Sequence, residues 1–420
     1  MDGVPYSFLQ RLFEIGYLPN MRRIFSQGSF VRMNSVDPCV SSVAWTSFNT
    51  GMNPGKHGIF GFVDRDPRSN SLYIPTARQI AVPTIAETLS ELQRRVVTIN
   101  VPGTFPPKPM NGVQISGFLA PSLDNAVCPV SYLPTLKQFN YVIDVDASEA
   151  RTNARKFLQD INSVFESRVN TARYLLDHEY WDYFHLHIMN TDRINHFFWD
   201  YHPEDRVELI DFYNKIDSFL SDLNDRLDSQ IEFIVLSDHG FCRVKTLINL
   251  NAWLMRNSYM NYTIERDLFS EQIDPSWKAF SLYPGRIYLN HSHRSSMMDF
   301  DTDVLINKLN ELRDPETNVP VFKKIYRKQE IFRGPHIDVA PDLQVIPEDG
   351  FELKSNFETY DVFYKDTYLK GMHTNHDAFF YIRNRQTIRE QLTIMDIRPT
   401  IFNLLNIPLD CTGLDGSSII

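Results

Sequence analysis

The sequence predicts an α/β fold, a mostly parallel sheet with helices on both faces into which a separate region is inserted. Three observations predict it. Helix-period and strand-like segments alternate through the first half of the chain. The stretch IEFIVLSDHG (231–240) has an unbroken apolar centre, which suits a strand buried on both faces of a parallel sheet. The alternation lapses from about 250 to 370 into an aromatic, Pro-containing region, then resumes with HDAFFYI and the closing helix IMDIRPTIFNLL (394–405). The expected division is an α/β core of residues 1–249 and 371–420 carrying an inserted cap at 250–370.

Asp2-Gly3 reads as the end of a strand turning into a loop, yet no apolar run precedes it. The first core strand is therefore expected to be missing from this chain, with Asp2 on a terminus prone to fray. Residues 7–14 and 18–25 read as short helices; in LPNMRRIF, Leu18, Met21, Ile24 and Phe25 share a face, and Gly28 ends the pattern. Residues 38–62, PCVSSVAWTSFNTGMNPGKHGIFGF, run from small hydroxylated residues through a Thr-Gly turn into a Gly/Pro-rich loop. Pro38 and Pro54 bracket a segment suited to start a helix, placing Ser41 and Ser42 near an N-terminus that favours an anion. A serine there serves as an N-cap or as a nucleophile toward a phosphoryl or sulfuryl centre.

Pro83 and Thr84 open a helix with Ile85, Leu89 and Leu92 at helical spacing, and VVTINVP (96–102) follows as a buried strand. Residues 152–176 carry an apolar stripe of Phe157, Ile161, Val164, Phe165, Ala172 and Leu176, and WDYFHLHIMN (181–190) reads as the next strand. A further helix from about Pro203 to Leu227 leads into the strand at 231.

At 420 residues, 43% apolar and 22% charged, the chain has the composition of a globular protein with a sizeable core. A formal charge of −10 argues against a nucleic-acid polymer as partner, but not against a small anion held through metals. Cys39, Cys128, Cys242 and Cys411 are widely spaced without a CxxC pair, which fits reduced thiols in a cytoplasmic protein. The start MDGVPYSF has no basic region leading into an apolar stretch, and no run approaches the length of a membrane span, so neither export nor a membrane is expected.

In an open parallel sheet, ligands sit at the carboxyl ends of the strands. Asp192 and His196 follow the strand at 181–190, four residues apart as one helix face requires; Asp238 and His239 end the strand at 231–236; His373 and His376 precede another apolar stretch; Asp2 stands where the missing strand would end. Singly, each has a bland explanation as a turn cap or a satisfied histidine. Jointly, Asp and His side chains from several strand ends are what borderline divalent cations such as zinc or manganese need, and a pair of such ions clamps an in-line displacement.

PCVSSVAWTSFNTGMNPGKHGIFGF, NVPGTFPP with ISGF, NTDRINHFFW, VLSDHGF, APDLQV and DIRPTIFNLLNIP resemble the alkaline phosphatase superfamily, in its type I phosphodiesterase/nucleotide pyrophosphatase-like branch of predicted phosphohydrolases and phosphomutases. The resemblance runs nearly end to end and implies an alkaline-phosphatase-like core. It implies Ser41 as nucleophile, nine residues before Thr50 of the Thr-Gly turn. Asp192, His196 and His373 would hold one metal, with Asp2, Asp238, His239 and the Ser41 oxygen holding the other; His373 follows Gly371 in the family's Gly-x-His pattern. His57 is read as structural. A sulfatase would need Pro and Arg where Val43 and Trp45 stand.

The implied activity is metal-dependent hydrolysis of a small phosphoric ester, diester or monoester, through a phosphoserine and two divalent ions, Zn2+ or Mn2+. The alternatives are a phosphomutase on the same site, or a non-catalytic homologue if the metal site is incomplete. Thr50 and Arg286 are candidate substrate contacts; Lys278, Arg294, Tyr283 and Tyr288 in the cap are further candidates, equally readable as surface charge and cap core.

Overall fold

The structure, a computed structural model, describes the chain except residues 201, 203–205, 262–271, 291–300 and 358, so Arg294 and Pro203 lie outside the described residues. It divides into two units: Met1–Met52 with Thr76–Cys242 and Tyr368–Ile420, and Asn53–Pro75 with Arg243–Thr367.

In the first unit, Thr84 and Glu87 close a capping box that starts the helix Ile85–Glu91. The chain then enters the strand Val96–Val101, buried at every residue. That strand pairs in parallel with Gly112–Ser116 on one side and Tyr183–Leu186 on the other, and the short strand Val127–Cys128 completes this sheet in antiparallel sense. A second sheet has the order Leu392–Thr393, Gly28–Asn34, Ala378–Arg383, Ile234–Leu236. Ala378–Arg383 runs antiparallel to both neighbours, so the sheets are mixed. An apolar run buried on both faces reads the same in either direction, so composition does not reveal the reversal.

Helices Tyr6–Glu14, Pro19–Phe25, Ala154–His178 and Val207–Arg226 bury their apolar faces in one cluster with Phe233, Val235, Phe379 and Tyr381. A second cluster joins Val97, Ile99, Val113 and Ile115 to Leu136, Ala172 and Leu175. The helix Ala154–His178 serves both, matching its expected stripe.

Asp2 does not fray. It is fully buried, and residues 1–4 run between the edge strands of the two sheets. The Met1 ammonium donates to the Leu236 carbonyl at 2.9 Å and the Asp2 N–H to the Ile188 carbonyl at 2.9 Å. Ser237 Oγ donates to the Val4 carbonyl at 2.6 Å. These bonds anchor the terminus as strand pairing would.

The second unit has an antiparallel sheet of order Ala279–Leu282, Arg286–Leu289, Leu343–Pro347, Phe322–Arg327. It takes in the hairpin Asp64–Asp66/Ser71–Tyr73, which lies outside the 250–370 boundary, because Leu72 joins this unit's apolar cluster and Asp64 pairs with Arg286 in its interior.

Candidate active site

The helix Ser41–Thr50 begins after Val40, which has extended backbone, and ends at Gly51, whose φ of 66° is the left-handed cap that glycine adopts freely. Ser41 is thus the first helical residue and not the N-cap. Its hydroxyl donates to Asp2 Oδ1 at 3.0 Å. The neighbouring Ser42 hydroxyl is buried with no hydrogen-bond partner. Thr50 is buried, and its hydroxyl returns to the Thr46 carbonyl at 2.7 Å.

The strand ends bring Asp2, Asp192, Asp238, His239 and His373 together with Ser41. Ligand atoms of Asp2, Asp238 and His239 lie within 4.8 Å of one another, as do those of Asp192, His239 and His373. His196, one turn after Asp192 on the helix Asn190–Phe198, reaches the second group: its Nε2 lies 3.3 Å from Asp192 Oδ1 and 3.0 Å from His373 Nε2. His373 Nε2 is also 3.1 Å from Asp192 Oδ1, and the His239 and His373 rings stack with centroids 3.7 Å apart. Gly3, at φ +61°, passes so close that a Cβ there would lie 2.3 Å from the Phe241 ring and 2.9 Å from that of His239.

Three imidazoles are oriented alike. Nδ1 of His196 faces the Gly371 carbonyl at 2.9 Å, Nδ1 of His239 the Gly240 carbonyl at 3.1 Å, and Nδ1 of His373 the Cys39 carbonyl at 3.2 Å. A carbonyl only accepts, so each Nδ1 is assigned a proton, and in the neutral ring Nε2 is then a lone pair aimed into the cluster. His239 Nε2 lies 3.3 Å from Asp2 Oδ1 and 3.5 Å from Asp238 Oδ2, but neither contact has hydrogen-bond geometry; both His239 Nε2 and Asp238 Oδ2 are buried without a partner.

The electrostatics ask for positive charge. Burial opposes ionisation of Asp2, but the hydrogen bond from His187 and the proximity of the His239 imidazole outweigh it and hold its carboxyl well below the usual range. Burial likewise opposes the Asp192 charge, and His196, His373 and Arg193 overcome it. Asp238 is raised, by burial first and then by the charge of Asp2. His239 is raised against its burial by the carboxylates of Asp238 and Asp2. His373 is lowered to about 4 by burial and by His239, which keeps it the neutral imidazole a metal needs.

Other side chains hold this cluster and carry no sequence signal of the same strength. Asp2 Oδ2 accepts from Trp45 Nε1 at 2.9 Å and lies 2.9 Å from His187 Nε2. Thr191 Oγ1 donates to the Asp2 carbonyl at 2.5 Å, and Arg193 Nη1 to Asp192 Oδ2 at 2.9 Å. The alternation of His185 and His187 in an otherwise apolar strand end is the one local hint of these partners.

Arg286 lies in the second unit and is 1% exposed; its guanidinium donates to Asp64 and to the carbonyls of Val63 and Tyr283. Tyr288 is buried beside it, while Lys278 is exposed. The buried histidine of the HGI turn, His57, accepts the Ile59 N–H on Nδ1 at 3.2 Å. No disulfide joins Cys39, Cys128, Cys242 or Cys411. Among the described residues no helix is long and apolar enough to cross a membrane.

A profile of the family described as type I phosphodiesterase / nucleotide pyrophosphatase matches residues 1–375. A search of curated proteins found no match. Among solved structures, phosphonoacetate hydrolase from Sinorhizobium meliloti 1021 in complex with phosphonoacetate is 16% identical with a TM-score of 0.66, covering 96% of this chain and 93% of that one. Murine ectonucleotide pyrophosphatase / phosphodiesterase 5 is 15% identical with a TM-score of 0.60, covering 97% and 94%. A variant of the alkaline phosphatase PafA is 15% identical with a TM-score of 0.63, covering 100% and 96%. At these identities the likeness is one of fold, and that fold is alkaline-phosphatase-like.

Proposed function

Since this chain belongs to the type I phosphodiesterase / nucleotide pyrophosphatase family, we propose that it hydrolyses a small phosphoric ester by attack of Ser41 on phosphorus, at a site holding two divalent metal ions. The observation that carries the reading is a pair of buried polar atoms without partners, His239 Nε2 and Asp238 Oδ2, beside three imidazoles whose Nδ1 atoms face backbone carbonyls. Buried polar atoms are nearly always satisfied, and neutral imidazoles whose Nδ1–H is held by a carbonyl are the form in which histidine ligates a metal. The donor set, imidazole nitrogen with carboxylate oxygen, suits zinc, with manganese as second choice.

Asp192, His196 and His373 would hold one ion; Asp2, Asp238, His239 and Ser41 Oγ the other. Such ions supply Lewis acidity toward phosphoryl oxygens and a lowered pKa for coordinated hydroxyl or water. The protein does the positioning. Asp2 Oδ1 takes the Ser41 hydroxyl proton in a hydrogen bond and so fixes the rotamer of Oγ. The N-terminus of the helix Ser41–Thr50 directs its first-turn N–H groups toward an anion at Ser41. In the first half-reaction the Ser41 Oγ–P bond forms as the bond to the leaving ester oxygen breaks, the hydroxyl proton being lost from Ser41 and the departing alkoxide gaining one to leave as the alcohol. In the second, water displaces Ser41 from phosphorus, with release of the phosphate product and return of the hydroxyl. Transfer of this kind rests on positioning and charge neutralisation.

A phosphomutase would pass the group to a second alcohol instead of water, and no observation in this structure favours it. The non-catalytic alternative depended on a frayed Asp2, which is instead buried and anchored. The test is metal analysis of the purified protein together with hydrolysis of bis(4-nitrophenyl) phosphate and 4-nitrophenyl phosphate. Fewer than two tightly held ions per chain, with neither ester cleaved, would sink the proposal. Turnover only in the presence of an added alcohol would favour the mutase.

A further inference from the structure

Asp192 divides its work between its two oxygens. Oδ1 faces His373 and His196, and Oδ2 accepts Arg193 Nη1. The other edge of that guanidinium is taken by Asp144: Nη2 donates to Asp144 Oδ2 at 2.6 Å and Nε to the same oxygen at 3.1 Å. Phe118 lies against the guanidinium, its ring centroid 4.8 Å away. Both members of the ion pair are largely shielded, with side chains 13% and 15% exposed.

The segment bearing Asp144 is tied to the same helix a second time. Arg168, 1% exposed, donates from Nη2 to the Ile143 carbonyl at 2.6 Å and from Nη1 to Asn190 Oδ1 at 2.7 Å. Asn190 in turn donates to the Ile161 carbonyl at 2.9 Å. Two arginines thus fasten residues 143–144, which hold no cluster residue, to the first turn of the helix Asn190–Phe198, which presents Asp192.

We propose that Asp144 and Arg193 are a positioning pair for cation binding: Arg193 fixes the Asp192 carboxylate so that only Oδ1 faces the cluster, and Asp144 aligns and neutralises Arg193. The inference rests on the cation reading of the site given above. Its physical basis is twofold. A carboxylate pinned through one oxygen loses the rotamer freedom it would otherwise surrender on binding an ion. A bare guanidinium beside a dication site repels the ion, and a bidentate carboxylate on its far edge cancels that repulsion.

The experiment is a zinc titration of the full chain against a chelator of known affinity, resolving the two ions, with thermal unfolding measured in parallel. In Asp144→Asn and in Arg193→Gln, one ion is expected to bind about 10- to 100-fold more weakly while the other keeps its wild-type affinity. Arg193→Lys should lose nearly as much, because a point charge does not span both carboxylates. The double variant Asp144→Asn/Arg193→Gln should be no worse than Asp144→Asn alone, since its repelling charge has gone. Unchanged affinity for both ions in the single variants overturns the proposal. So does parallel loss of both ions in step with the unfolding temperature, the pattern of mere misfolding. If the wild-type chain itself holds no zinc, the cation reading fails first and this inference falls with it.

Discussion

His196 and His373 face one another through Nε2 atoms 3.0 Å apart, each ring holding its proton at Nδ1 against a backbone carbonyl. Two lone pairs at that separation repel unless something positive lies between or beside them. Removing divalent ions with a chelator should therefore lower the unfolding temperature by several degrees, and added Zn2+ should restore it. An ion at 100 times its dissociation constant contributes about 2.7 kcal/mol. Scanning fluorimetry with and without chelator measures this; identical curves would contradict the cation reading.

The Ser41 hydroxyl bonds to Asp2, whereas the Ser42 hydroxyl bonds to nothing. Ser41→Ala should reduce phosphodiester turnover by about a thousandfold or more and leave the circular dichroism unchanged. Ser42→Ala should keep most activity and be neutral or slightly stabilising, because it removes a buried unsatisfied hydroxyl. Steady-state kinetics of the two variants decide it; the reverse pattern would move the nucleophile by one residue.

His57 is buried, and burial with the nearby His336 lowers its pKa to about 3. The unfolded chain protonates this imidazole near its ordinary value of about 6.5 while the folded one does not, so the unfolded state binds more protons across that window. Stability attributable to His57 is intact above the unfolded value and declines as pH falls below it. Between pH 7 and pH 5 the loss is about 2 kcal/mol. Denaturant melts at both pH values should show a smaller acid loss in His57→Gln than in wild type, whatever the absolute stability of the variant.

Arg286 and Asp64 form an ion pair whose side chains are 1% and 4% exposed, and burial raises the Asp64 pKa despite the guanidinium. Arg286→Ala leaves a buried carboxylate alone and should cost about 3–5 kcal/mol. The double change Arg286→Met/Asp64→Leu should recover much of that. Chemical denaturation tests the pair. Equal losses in the single and double variants would show that packing, and not the unpaired charge, sets the cost.

Much of the cluster could be read from short strings because the chemistry is local to strand ends. Asp192 and His196 are one helical turn apart, Asp238 and His239 are adjacent, and the sheets bring these positions together with Ser41 and His373. The supporting residues were not readable. Asp144 and Arg193 are separated by 49 residues and meet only after the segment carrying Asp144 folds onto the helix Asn190–Phe198. Trp45 and His187 look like core residues in the sequence, and it is their contact with Asp2 that distinguishes them. The helix Ala154–His178 followed its stripe closely, while the reversed strand Ala378–Arg383 did not announce its direction, because burial on both faces erases the alternation that marks orientation.

Residues 1–3 lie in a seam. Asp2 is tied by its backbone to Ile188 beyond one sheet, and Gly3 donates to Asp238 beyond the end of the other at 3.0 Å. Cations held by Asp2, Asp192, Asp238 and the histidines would act as rivets across that seam. Parting the sheets and emptying the site then become a single event. With such ions bound, the lifetime of the folded unit would follow the rate of ion release, making its durability kinetic as well as thermodynamic.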